Sequence, residues 1–211
     1  MLTVLYNLLI EPIVLLIQMV FVWGYRVFDN PGASVIAVSI IVNFMILPLY
    51  NQADALQEEE RAKQEKMAHW VDHIKKGFKG EERYMMLSAY YRQCHYHPLM
   101  ALRSSFGLLV QIPFFIAAYH FLSHLASLNG RSFFLISDLA KPDSIIHIKG
   151  TSVHILPIMM TAINVVTGMI YTKGFSMREK VQLYGMAVIF LVLLYNSPSG
   201  LVLYWTMNNV F

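Results

Sequence analysis

The sequence is poor in charge and has almost no cysteine. Charged residues make up 14% of its 211 residues, whereas a typical soluble domain contains about 25%. Apolar residues make up 56%, which excludes a disordered chain and argues against an ordinary soluble domain. The single cysteine, Cys94, cannot form an internal disulfide bond, so cysteine usage does not indicate a compartment. The composition predicts a membrane domain.

The few charges are concentrated in one segment. Residues 51–97 hold 16 of the 29 charged residues, and these are 8 acidic and 8 basic. Residues 51–76 lack proline and glycine, Gly77 and Gly80 bracket a turn, and residues 81–96 return to a helix-forming composition. We therefore predict a solvated helical hairpin. Its balanced charge argues against a nucleic-acid surface.

Apolar side chains of this hairpin are candidates for packing its two arms together. They are Leu56, Met67, Trp70, Ile74, Met85, Met86 and Tyr90. The alternative is a soft, Met-rich face that receives apolar substrate segments.

Six apolar runs approach the length of about 20 residues that a spanning helix needs. They cover residues 2–23, 33–50, 105–125, 153–172, 181–195 and 201–211. The last run is too short to span, and we expect the natural protein to continue beyond it. The first run is ambiguous, because Thr3, Asn7, Glu11 and Gln18 form a polar stripe and Pro12 interrupts it. Both a kinked spanning helix and an amphipathic helix in the headgroup layer fit this pattern.

Lysine and arginine predict the orientation. If the second to sixth runs span, residues 51–104 and 173–180 share one side and carry 12 of the 16 basic residues. Four basic residues lie on the other side. Because cytoplasmic loops are enriched in Lys and Arg, the charged hairpin is predicted to be cytoplasmic.

Polar side chains in four of the runs lie at a similar depth. Asn43 is about 10 Å from the cytoplasmic end of its run, and Gln111 and Asn164 are each about 12 Å from theirs. Asn208 approaches a similar depth from the opposite side. Hydrogen bonds between helices are the common explanation for such residues. Four helices at one depth favour a polar cavity that is open to the cytoplasm and closed outside.

Two pairs of polar residues share helix faces in this layer. Ser39 and Asn43 are four residues apart, and Thr161 lies on the same face as Asn164. The other half of the predicted bundle is almost purely apolar. A through-channel, which needs a polar path across both leaflets, is therefore disfavoured.

Metal and catalytic sites have little support. His69 and His73 share a helix face, as do His120 and His124, but neither pair has the further ligands that a structural zinc site needs. No nucleophile motif and no acidic pair at membrane depth is found. We predict no catalytic residue, no metal, no cofactor and no enzymatic activity.

Several motifs resemble those of YidC-type membrane protein insertases. The segment Pro198-Ser199-Gly200-Leu201-Val202-Leu203-Tyr204-Trp205, followed by Asn208, resembles the last-helix motif of that family. Residues 108–115 with Tyr119, His97-Pro98-Leu99 and the stretch 137–157 resemble further family segments in the same order. The similarity covers residues 33–211.

The resemblance implies an all-α, polytopic membrane protein with five transmembrane helices. Residues 1–32 would form an N-terminal amphipathic helix outside the membrane, and residues 33–211 an insertase-like domain with the cytoplasmic hairpin 51–97 inserted. It also implies a hydrophilic groove open to cytoplasm and lipid. The candidate groove residues are Ser39, Asn43, Gln111, Thr161, Asn164, Tyr204, Trp205 and Asn208.

The implied function is insertion of nascent membrane-protein clients into the lipid bilayer of the bacterial plasma membrane, beside the Sec translocon and the ribosome. The family uses no nucleotide or metal. A non-inserting assembly chaperone or subunit of a membrane complex is the alternative, and a transporter or lipid scramblase comes third.

The sequence departs from the family pattern at the groove. The family usually has an arginine at the position of Asn43, and an amide cannot attract an acidic client segment by charge. The stretch between His97-Pro98-Leu99 and Gln111 is also altered. Arg103 lies within it and is a candidate cation at the groove mouth.

Overall fold

The structure, a computed structural model, describes residues 6–97, 99–100, 106–148, 151–171 and 177–210. This part of the chain forms seven α-helices and a short antiparallel pair of strands, so the predicted all-α class is confirmed. The helices are α1 (Glu11–Phe28), α2 (Pro31–Gly77), α3 (Gly80–Gln93), α4 (Phe106–Ser123), α5 (Ile155–Tyr171), α6 (Met177–Leu194) and α7 (Ser199–Val210). The strands are β1 (Ile146–Ile148) and β2 (Thr151–Val153), in which Ile146 pairs with Val153.

The chain divides into two compact units. One consists of Met1–Met45 together with Phe114–Phe211, and the other of Ile46–Pro113. The polar cluster described below belongs to the first unit, and the charged hairpin belongs to the second.

The first apolar run is helical from Tyr6, beginning with a π-helical turn, Tyr6–Ile10, that continues directly into α1. Pro12 lies where the π-helical turn passes into α1, and proline is one of the usual causes of such an irregularity in a helix. The ring centroids of Tyr6 and His120 are 6.1 Å apart, and those of Phe21 and Phe121 are 5.8 Å apart.

These two contacts define how the first helical segment crosses α4. Tyr6 and Phe21 are 15 residues apart, which is about 22 Å along a helix at about 1.5 Å per residue. They nevertheless contact two successive residues near the C-terminal end of α4. The segment therefore crosses α4 there and does not run alongside it.

A tight polar turn separates α1 from α2. Asp29 ends α1 with a left-handed φ of 49°, and its N–H donates to the carbonyl of Tyr25 at 2.9 Å. The side-chain oxygen of Asn30 accepts from the N–H groups of Gly32 at 2.9 Å and Ala33 at 3.2 Å. This satisfies two donors at the start of α2, as an N-cap does.

The predicted helical hairpin consists of the second part of α2 and of α3, with a turn at Gly77–Gly80. Its first arm is continuous with the second apolar run, because α2 extends 47 residues through Pro48. Ala53, Glu60, Met67 and Ile74 are buried along this arm at seven-residue intervals. The expected packing side chains Trp70, Met85 and Met86 are exposed instead. Residues of both arms line a cavity of about 550 Å³.

The connection between α4 and α5 fixes the N-termini of two helices. One carboxylate oxygen of buried Asp143 accepts from the N–H groups of Ile155 at 2.6 Å and Leu156 at 3.2 Å, at the start of α5. The carbonyl of Lys141 accepts from the N–H of Ser199 at 2.8 Å and from its hydroxyl at 2.6 Å, at the start of α7. Each of the three bonds from a backbone N–H satisfies a donor that has no partner inside its own helix.

A close backbone contact and local hydrogen bonds also hold the connection between α4 and α5 in place. The N–H of Gly200 donates to the carbonyl of Leu139 at 2.8 Å, and a Cβ on Gly200 would lie 3.2 Å from that oxygen. Burial would raise the pKa of the Asp138 carboxyl, but hydrogen bonds from Ala140, Lys141 and Gly130 outweigh it and lower that pKa. The connection is therefore an ordered cap over α5 and α7.

By length and composition, two helical segments among the described residues could cross a membrane. They are Tyr6–Phe28 and Pro31–Gly77. Three shorter apolar helices accompany them, namely Leu109–Ser123, Ile155–Ile170 and Lys180–Leu194.

Candidate functional site

Three of the predicted groove residues form one hydrogen-bonded cluster. The side-chain carbonyl oxygen of Asn208 accepts from the hydroxyl of Ser39 at 2.6 Å and from the amide nitrogen of Asn43 at 3.1 Å. Ser39 and Asn43 lie one turn apart on α2, as the i, i+4 spacing predicts, and Asn208 lies on α7. The cluster therefore joins α2 to α7 through two asparagines, Asn43 and Asn208, that are 165 residues apart in the chain.

The cluster is neutral and only partly enclosed. Ser39 is fully buried, whereas Asn43 and Asn208 are half-buried. The carbonyl oxygen of Asn208 has two lone pairs, and the two donors on α2 occupy both of them. The amide nitrogen of Asn208 and the carbonyl oxygen of Asn43 take no part in these two bonds. Among the described residues, the cluster therefore has amide N–H donors and a carbonyl acceptor beyond those that it uses internally.

Asn209 adds a polar group that the site prediction did not include. Its side-chain nitrogen is buried and has no hydrogen-bond partner among the described residues. A buried donor without a partner is unfavourable by about 1–3 kcal/mol, and such groups are rare in native structures. The adjacent asparagines 208 and 209 at the end of an apolar run were the sequence signal for it.

Two hydroxyl groups of the polar layer bond within their own helices. The hydroxyl of Thr161 donates to the carbonyl of Pro157 at 2.8 Å, and that of Thr206 donates to the carbonyl of Val202 at 2.7 Å. Asn164 is half-buried on the same helix as Thr161. Helix α5 packs against both α6 and α7. The contact of Thr161 and Asn164 with a client remains a prediction.

Tyr204 and Trp205 lie in the protein core. The ring centroid of Trp205 is 4.9 Å from that of Phe115 on α4 and 4.6 Å from that of Phe190 on α6. Both residues are almost completely buried. In this conformation Trp205 packs α4, α6 and α7 together, and client contact by either residue remains a prediction.

The two other predicted positions lie outside this cluster's unit or outside the described residues. Gln111 is half-buried on α4 and belongs to the second compact unit, so its place in a groove remains a prediction. Arg103 lies outside the described residues.

Comparison with known proteins agrees with the motif pattern. The family model for the 60Kd inner membrane protein matches residues 9–211. A Membrane protein insertase YidC from Treponema denticola is 24% identical over 95% of this chain and 36% of its own length. The homologue of the same name from Herminiimonas arsenicoxydans is 30% identical over 88% of this chain and 33% of its own length. The chain thus spans about a third of these relatives.

The fold also matches a solved structure. A crystal structure described as an active YidC insertase with the first transmembrane domain resolved superposes with a TM-score of 0.59. The match covers 97% of this chain and 44% of the other, at 22% identity. The predicted family is confirmed: the chain belongs to the 60Kd inner membrane protein family, with the YidC insertases that its motifs resemble.

Proposed function

We propose that this chain is a membrane protein insertase that spans the bilayer five times. Residues 33–50 of α2 and the helices α4, α5, α6 and α7 would span. The segment Tyr6–Phe28 would lie in the headgroup layer of the outer leaflet. Its crossing of α4 near one end supports this placement, because a spanning helix of that length would run along its neighbour.

The proposed orientation puts residues 51–104 in the bacterial cytoplasm. It is supported by the excess of basic residues on that side, 12 against 4, and by the relatives' family name, which refers to an inner membrane protein. A hairpin on this side would be the first part of the protein to meet a nascent client. The Sec translocon and the ribosome are the proposed partners there.

The polar cluster of Ser39, Asn43 and Asn208 carries the functional proposal. A polar client stretch that enters an apolar bilayer loses its water contacts, at a cost of several kcal/mol for each unsatisfied group. The cluster offers exchangeable partners: a client carbonyl can replace Asn208 as the acceptor for Asn43, and a client N–H can bond to Asn208. Each exchange keeps the number of hydrogen bonds nearly constant and so lowers the barrier to entry.

A photo-crosslinking amino acid at position 43 is the direct test. With nascent membrane-protein clients, we expect at least about 5-fold more adducts from position 43 than from a lipid-facing position at the same depth, because polar groups at membrane depth face the interior. The matched control is Met45, which is half-exposed and lies on the opposite face of α2. Gln111 is the second position to be tested. Equal labelling at positions 43 and 45 would rule out the groove.

Replacing Asn43 with arginine tests the neutral character of the cluster. A charge interaction of about 1 kcal/mol corresponds to a change of about 5-fold, so insertion of clients with acidic tails should rise by about that factor. The control is Asn43→Gln, which keeps a neutral amide and should show no such gain. A gain of the same size for clients with uncharged tails would contradict an electrostatic cause.

One observation favours the second candidate, a non-inserting assembly chaperone. The carbonyl of Asn208 is already fully used by the chain's own Ser39 and Asn43. A protein whose groove stays closed in this way would hold a fixed partner and insert nothing. Complementation of a strain depleted of its insertase separates the two functions: growth supports insertion, and no growth with normal expression supports the chaperone.

A further inference from the structure

The connection between α4 and α5 contains a tight β-turn, Phe133–Ile136, with an apolar tip. Phe133 and Ile136 exchange two backbone hydrogen bonds, each 2.9 Å long, and Phe134 and Leu135 form the turn between them. Phe134 is 92% exposed and Leu135 is 80% exposed, more than any other large apolar side chain among the described residues. Two adjacent apolar side chains with so little protein contact are unusual for a loop that meets only water.

The backbone of the tip makes this exposure more unusual. Phe134 has a φ of 49°, in the left-handed region that glycine and asparagine adopt easily and that bulky residues avoid. A glycine or asparagine would relax the turn and also make it more soluble. The sequence instead keeps an aromatic side chain in a strained conformation that directs it away from the protein.

The base of the tip is held beside the start of α2. Gly32 leaves the space that the Phe133 ring fills, since a Cβ at Gly32 would lie 2.2 Å from the Cγ of Phe133. Gly32 comes directly before the apolar run 33–50. Val27 and Phe28, which precede it at the end of α1, are also exposed. Two separate segments therefore place exposed apolar side chains at one end of a proposed spanning helix.

We propose that Phe134 and Leu135 insert into the outer leaflet, at the boundary between headgroups and acyl chains. Aromatic and aliphatic side chains at this level are favourable, since apolar area leaves water while the polar backbone stays near the headgroups. Arg131 is exposed and stands two residues before this β-turn, and its positive charge can pair with lipid phosphates. The tip would anchor the ordered cap of α5 and α7 to the membrane surface.

This inference depends on the proposed membrane topology and not on client insertion. The test uses a Cys94→Ser background with Leu135→Cys labelled by an environment-sensitive NBD dye. The full chain is reconstituted singly into nanodiscs of phosphatidylglycerol and phosphatidylcholine. The control is Asn129→Cys, an exposed polar position in the same connection. Neither position contributes to the protein core.

We expect the label at position 135 to be blue-shifted and quenched by lipids that carry a spin label near the headgroup. Iodide in water should quench it about 5-fold less than the label at position 129, as for a residue within the interface. Equal iodide quenching at the two positions would overturn the proposal. Protection from iodide without quenching by any spin-labelled lipid would also overturn it, because a protein surface would then cover the tip. Client insertion is measured separately, so its failure leaves this result unchanged.

Discussion

Replacing Trp205 with alanine is expected to lower the free energy of unfolding by about 3–5 kcal/mol, the usual cost of removing a large aromatic side chain from a packed core. Trp205 is 2% exposed and contacts Phe115 and Phe190 edge-on and tilted, respectively. Aromatic pairs of this kind add about 0.5–1.5 kcal/mol beyond the buried area. Trp205→Ala mainly removes the dispersion contacts of the indole ring, because lipid offers little hydrophobic driving force between helices.

The measurement is reversible unfolding of the full chain in bicelles, followed by circular dichroism so that the loss of a fluorophore does not matter. The matched control is Trp70→Ala, since Trp70 is 55% exposed on the hairpin. We expect this control to change the unfolding free energy by less than about 1 kcal/mol. Similar losses for the two variants would show that Trp205 does not join α4, α6 and α7.

The groove itself stays a prediction, but the sequence indicated the part of the polar cluster that depends on helix geometry alone. The i, i+4 spacing of Ser39 and Asn43 places them on one face, and the depth of Asn208 in its run matches theirs. The pairing itself could not be predicted, because no periodicity connects residues on α2 and α7. For Thr161, helix geometry gave the face but not the bonding partner. Its hydroxyl bonds to the carbonyl of Pro157 in its own helix, an option that every threonine in a helix has.

In the charged hairpin, one acidic side chain, Glu60, is buried although the surrounding sequence is charged. Gly77 and Gly80 predict the turn because glycine is disfavoured inside helices, and in the structure Gly77 ends α2 and Gly80 begins α3. Glu60 stands within three successive glutamates, which resemble a solvated face. It nevertheless falls on the seven-residue stripe with Ala53, Met67 and Ile74, and it is 1% exposed. The stripe was visible in the sequence, but its glutamate argued against burial.

Tyr96 explains how this glutamate can be buried. The Tyr96 hydroxyl donates to one carboxylate oxygen of Glu60 at 2.5 Å, and the side-chain nitrogen of Gln64 donates to the same oxygen at 3.0 Å. The second carboxylate oxygen is buried and has no partner among the described residues. The bond from Tyr96 thus connects the segment after α3 to the hairpin arm of α2, and it supplies one of the two donors to the buried carboxylate of Glu60.

We therefore expect Tyr96→Phe to destabilise the closed hairpin by about 1.5–3 kcal/mol, the range for a hydrogen bond to a charged group. Hydrogen exchange of the amides in Gly80–Gln93 should become faster by about 10-fold or more. Burial, together with the bond to Glu60, raises the pKa of Tyr96 from 10.0 to about 12. The folded pKa exceeds the unfolded one, so this bond is intact below pH 10 and weakens as the pH rises towards 12.

The double variant Glu60→Met with Tyr96→Phe separates this bond from simple loss of packing. Replacing both partners by apolar side chains removes the buried carboxylate, which is often neutral or stabilising. Gln64 loses both of its acceptors, but its side chain is only half-buried and can turn to water. Exchange in Gly80–Gln93 should then return to the wild-type rate or below it. The matched control is Tyr84→Phe, since Tyr84 is 75% exposed on the same hairpin and should leave exchange unchanged. If the double variant exchanged as fast as Tyr96→Phe alone, Glu60 and Tyr96 would not act as a pair.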